Sequence, residues 1–148
     1  MSNNSKTVNF EKLINKAFEN MRMASYAIDC IMERIENPDL AELLRKQNKF
    51  YLDTTESLEQ LAREHGVELN DINALAKTMS FISIKLKTLT DNDSTKLSEM
   101  LIQGTTMGIT DAIKARREYE TPNPELMALV DRIIAHEEEF VDSLKTFL

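Results

Sequence analysis

Apolar residues return every three or four positions along most of the chain, and the breaks between these series divide it into helices. Phe10, Ile14, Ala17, Met21, Ala24, Ile28, Ile31 and Ile35 form an uninterrupted stripe, which predicts one long amphipathic helix over about 7–36. Asn37 followed by Pro38 is a helix start, with Asn as cap and Pro at the first helical position. The stripe beyond it, Leu40, Leu44, Gln47, Tyr51, Thr54, Leu58 and Leu61, predicts a helix over about 38–65 with a polar middle. His65 and Gly66 end it, the glycine free to turn left-handed and the histidine placed to face the last carbonyls. Asn70 can cap a shorter helix over about 71–89, whose apolar positions are Ile72, Leu75, Met79, Ile82, Leu86 and Leu89. The polar run Asp91 to Ser94 then breaks the pattern and opens a helix over about 94–120, and Asn123-Pro124 opens the last, over about 124–147.

The order is hairpin, connector, hairpin. Asn37-Pro38-Asp39-Leu40 recurs as Asn123-Pro124-Glu125-Leu126 at an offset of 86, which points to an internal duplication. A connector helix of about 18 residues reaches roughly 27 Å, enough to carry the chain from one end of a bundle to the other. The second and fourth predicted helices therefore run parallel. An all-α four-helix bundle with one long crossover carrying a shorter fifth helix is the expected architecture, as a single domain over 1–148.

The last stripe, Leu126, Val130, Ile133, Glu137, Phe140, Leu144 and Phe147, turns a carboxylate inward, at a cost unless something pairs with it. Tyr51 plus the offset of 86 is position 137, so Tyr51 and Glu137 hold matching places in the two hairpins. Hairpin arithmetic puts Ala24 level with Tyr51 and Thr106 level with Glu137. The expected central layer is polar: Gln47, Tyr51, Thr54, Gln103, Thr106 (or Thr105), His136 and Glu137.

Charge removes some functions. Eighteen Lys and Arg against 25 Asp and Glu leave a net charge of −7, and the basic residues are dispersed, so nucleic acid is not an expected partner. No apolar run is long enough for a membrane span and no signal-peptide pattern opens the chain, so a cytoplasmic protein is expected. Cys30 is the only cysteine, which excludes an internal disulfide and a cysteine-based metal cluster. Met23, Tyr26, Ala27 and Cys30 form a patch beside the first stripe, to be covered by another helix or by a second copy in a homodimer.

The two hairpins, the long crossover and the run Ala135-His136-Glu137-Glu138-Glu139 resemble the ferritin-like superfamily, most nearly its small bacterial members, over essentially the whole chain. The resemblance implies a di-metal site with one Glu on each of two helices and a Glu-x-x-His pair on each of the other two. Only Glu137 matches a ligand. Phe140 stands where its His would be, Tyr51 and Thr54 stand for the other pair, and the first helix offers Ala24. Since one carboxylate does not hold two metals, Glu137 is expected to hydrogen-bond Tyr51 and threonine side chains, with no cofactor. The alternative is a divalent metal (iron, manganese or zinc) with Glu137 and His136 as its first ligands.

Asp111 is expected to pair with Arg132. Gly104 and Gly108 mark either close helix packing or room for a small apolar ligand. The function that follows is a non-catalytic binding or assembly protein. The alternatives are a metal protein handling iron or peroxide, and a binder of a small apolar ligand.

Overall fold

A computed structural model describes residues 3–70, 73–89 and 93–148. Its elements are α1 (Asn3–Met32), α2 (Pro38–Glu64), α3 (Asn73–Thr88), α4 (Ser94–Glu118) and α5 (Pro124–Lys145), with no strand among the described residues. Asn37 caps α2 by accepting from the amides of Asp39 and Leu40, and Asn123 caps α5 by accepting from Leu126 N–H. Each is followed by Pro at the first helical position, so the repeated tetrapeptide is a repeated helix start. Asp93 caps α4 through Thr95 N–H. The proposed Asn70 cap leads into residues 71–72, which lie outside the described residues, as does Ile72.

Helix α1 starts four residues before the predicted boundary, with Ser5 to Val8 exposed as a solvated extra turn. It also ends four residues early, because the chain must leave the helix before the Asn37-Pro38 start. The early end frees Arg34, whose guanidinium donates to the carbonyls of Leu86 and Leu89 (3.0 Å for Leu89) at the end of α3. Those carbonyls lie at the negative end of the α3 dipole, where a cation is favoured.

Helices α1 and α2 pair antiparallel, as do α4 and α5, and the hairpins meet along α1 with α4 and α2 with α5. Asn70 N–H donates to Asn15 at one end of α3 and Arg34 binds its other end, so α3 runs alongside and in the direction of α1. The crossover leaves α2 and α4 parallel, as the connector length predicts. It also bears on the patch on α1: Tyr26 OH lies 3.5 Å from Ser83 Oγ of α3 and Cys30 is half-buried, while Met23 lies toward α4.

The core runs along the axis, with Ile14, Met21, Leu40, Leu44, Leu58, Leu97, Leu126 and Leu144 essentially inaccessible. Burial of each such side chain stabilises the fold by about 1.5–3 kcal/mol. At the α2 end, His65 Nδ1 donates to Leu61 O (3.0 Å), which leaves Nε2 to accept from Asn123 Nδ2 (3.2 Å). His65 is thus the expected capping residue, and it also ties α2 to the start of α5. Gly66 follows at φ +65, the left-handed turn that glycine favours.

Asn123→Ala is expected to cost about 1–2 kcal/mol in a urea titration, more than Asn37→Ala, because only Asn123 also holds the partner hairpin through His65. Equal losses would mean that the His65 link contributes nothing.

Candidate functional site

The central layer is built across the interface of α2 and α5. Tyr51 OH donates to Glu137 Oε2 at 2.9 Å, and the two residues are 1% and 3% exposed. The second contact, His65 with Asn123, lies fourteen residues after Tyr51 on one side and fourteen before Glu137 on the other, so a constant antiparallel register brings Tyr51 onto Glu137. Because these residues are 86 apart, the same offset as the repeat, equivalent positions of the two hairpins face one another across a pseudo-twofold axis. Gln47 and Thr54, one turn to either side of Tyr51, are also buried, and Gln47 Nε2 has no hydrogen-bond partner among the described residues.

No cation is paired with Glu137 among the described residues. Burial pushes its carboxyl up to about 7, and the Tyr51 hydroxyl draws it back in part by hydrogen-bonding to the ionised form. Tyr51 is held well above its usual range by the same burial and by the neighbouring carboxylate. Near neutral pH the pair is a phenol hydrogen-bonded to a carboxyl poised between its charged and neutral forms.

His136 belongs to a different contact. Its ring stacks on Phe50 of α2, with centroids 3.6 Å apart and planes within 2°, and burial lowers its pKa. Its Nδ1 is buried without a hydrogen-bond partner among the described residues. Neighbouring residues on a helix point about 100° apart, and here Glu137 meets Tyr51 while His136 meets Phe50.

Gln103 and Thr106 do not enter the layer: both are exposed on α4. Hairpin arithmetic places a residue at a height along the bundle, whereas its facing depends on the rotation of the helix. Helix α4 turns Leu97, Ser98, Leu101 and Ala115 inward, and no residue from 102 to 114 is buried. The Asp111–Arg132 pair is likewise corrected. Both residues are exposed, and α4 is joined to α5 by Arg116, which grips both carboxylate oxygens of Asp131 (3.1 Å for Nη2). The glycines divide: a side chain at Gly104 would meet open space, while at Gly108 it would meet Asn20 Oδ1 at 3.0 Å.

Two parts of the polar interior had no signal in the reading of the stripes. Thr55 is buried and donates to Tyr51 O at 2.7 Å, fixing the backbone beneath the tyrosine. Buried Ser25 donates to Asn48 Oδ1 at 2.7 Å, and Asn48 donates to Asp29, linking α1 to α2. Spacing could have placed Thr55, which lies one turn after Tyr51; nothing in the sequence pairs Ser25 with Asn48.

A di-metal centre needs several carboxylates and imidazoles around one point. Among the described residues no three His, Cys, Asp or Glu side chains form such a group, and Tyr51, Thr54, Phe140 and Ala24 offer no carboxylate or imidazole at the matching positions. The donor set does not fit two metal ions.

No family model matches the chain, and no curated protein matches it. Among solved structures it is similar to a two-domain protein from Anabaena variabilis ATCC 29413 that contains DJ-1/ThiJ/PfpI-like and ferritin-like domains. The TM-score is 0.70 at 15% identity, over 92% of this chain and 34% of that one. This chain thus spans about a third of that protein, and the likeness is one of fold. The fold is that of a ferritin-like helical bundle.

The Glu137 shift has a definite sign. The folded state holds its proton to about pH 7 against an ordinary 4.5, so the contribution of Glu137 to folding stability falls as pH rises between those values and is level outside them. The fall is expected to be about 3 kcal/mol in denaturant titrations from pH 4.5 to 8, and to be absent from Glu137→Gln. Parallel pH profiles for the two proteins would show that Glu137 titrates normally.

Proposed function

We propose that this chain is a non-catalytic binding or assembly protein on a ferritin-like bundle, with no working metal centre. The observation that carries this reading is the Tyr51–Glu137 hydrogen bond: the one carboxylate that matches a di-metal ligand is engaged by a phenol from the equivalent position of the other hairpin. A residue that accepts a hydrogen bond in a buried layer stabilises one packing of the two hairpins. The ferritin-like domain of the Anabaena protein sits in one chain with a second domain, which is consistent with such a bundle acting through its surfaces. Self-association into a homodimer would use a face other than the Tyr26–Cys30 stripe, since α3 already covers it.

Metal analysis of untagged protein after loading with Fe(II), Mn(II) and Zn(II) separates this reading from the metal-dependent one. The expected outcome is no stoichiometric ion and the same content in Glu137→Gln. Stoichiometric metal that disappears in Glu137→Gln would overturn the proposal and restore Glu137 and His136 as ligands.

A further inference from the structure

Helices α1 and α4 meet across the two hairpins, and side chains clasp them at two points. Asn9 Nδ2 donates to Glu120 O at 3.0 Å and Asn20 Nδ2 donates to Gly108 O at 3.2 Å, so the pair is held by two side-chain clasps eleven residues apart on α1. At the second clasp a side chain on position 108 would lie 3.0 Å from Asn20 Oδ1, so the glycine admits the carboxamide that sets the spacing of the helices. A cleft of about 300 Å³ opens along this pair, at the small end of the range for small-molecule sites.

The composition of the cleft selects a type of ligand. Its floor is apolar, with Leu13 and Ala17 from α1 and Val130 and Ile133 from α5. On the α4 side Ala112 and Ala115 stand where larger side chains would fill the space. Its rim carries three carboxylates, Glu19, Asp111 and Glu118, against two ammonium groups, Lys16 and Lys114. Glu19 and Asp111, on opposite lips, have no ion-pair partner among the described residues. The chain as a whole has a net charge of −7, so the long-range field favours a cation here as well. An anionic head group would meet an excess of carboxylates.

We infer that the α1–α4 cleft binds a small amphiphilic amine, its apolar body on Leu13, Ala17, Val130 and Ile133 and its ammonium group between Glu19 and Asp111. The proposal rests on the binding reading above and names the ligand class. It does not involve Glu137, so metal loading and ligand binding fail separately.

The test is an NMR titration of the full chain with 2-phenylethylamine, followed on amide signals, with phenylacetate as the probe of similar shape and opposite charge. The amine is expected to saturate at millimolar concentrations and shift residues around Ala17 and Ala112, with phenylacetate at least tenfold weaker. Asp111→Lys, a change at an exposed position, is expected to weaken the amine about tenfold and to narrow its advantage over phenylacetate. Ala112→Leu, which fills the cleft, is expected to abolish saturation. No saturable shift with the amine, equal affinity for the two probes, or wild-type affinity in a folded Asp111→Lys variant would each overturn the proposal.

Discussion

A buried carboxylate with no cation beside it among the described residues is the constraint around which this bundle is organised. Removing Glu137 from water disfavours its charged form, and the Tyr51 hydroxyl offsets that only in part. The contact is satisfied only when α2 and α5 lie in one register. A slip by one turn would leave a buried carboxyl and a buried phenol unpaired, each at about 1–3 kcal/mol. Hydrophobic stripes drive the helices together and tolerate small displacements; the Tyr51–Glu137 bond, with the His65–Asn123 link at the bundle end, selects among them. The offset of 86 explains why this contact falls on the pseudo-symmetry axis: antiparallel helices of two equivalent hairpins meet at equivalent residues only there.

Much of this was legible in the sequence because it rests on strong local signals. The two Asn-Pro starts and the His65-Gly66 stop each have one ready structural reading, and each takes it, while the stripe of α1 holds as far as Ile31. The repeat offset put Tyr51 and Glu137 at matching places, and the shortage of other ligands made their hydrogen bond the expected contact. Helix α4 was less legible. Its middle carries Gln103, Gly104, Thr105, Thr106, Met107 and Gly108, a run with little hydrophobic contrast, so its height could be read but its rotation could not. Gln103 and Thr106 consequently face solvent, and the cross-hairpin ion pair uses Arg116 and Asp131 in place of Asp111 and Arg132.

The weak apolar face of α4 and the layer at Glu137 bear on function in different ways. In a di-metal bundle of this architecture the centre is crowded with like charges that a metal must neutralise. Here the equivalent positions carry one carboxyl, a phenol, a threonine and a phenylalanine, and the carboxyl accepts a hydrogen bond from the phenol. On the exterior, α4 differs from the other long helices in that no residue from 102 to 114 is buried. Asn9 and Asn20 clasp it to α1, and the cleft along that pair is bounded by charge.

Direct observation of the Glu137 carboxyl carbon by NMR, titrated from pH 4 to 9 with and without Zn(II), is the most decisive measurement. A midpoint near 7, unchanged by the metal and lowered no further than Tyr51 allows, is expected for a structural carboxyl paired with a phenol. A midpoint near 4.5, or a carboxyl signal displaced by one equivalent of Zn(II), would contradict it and make Glu137 either solvated or a ligand.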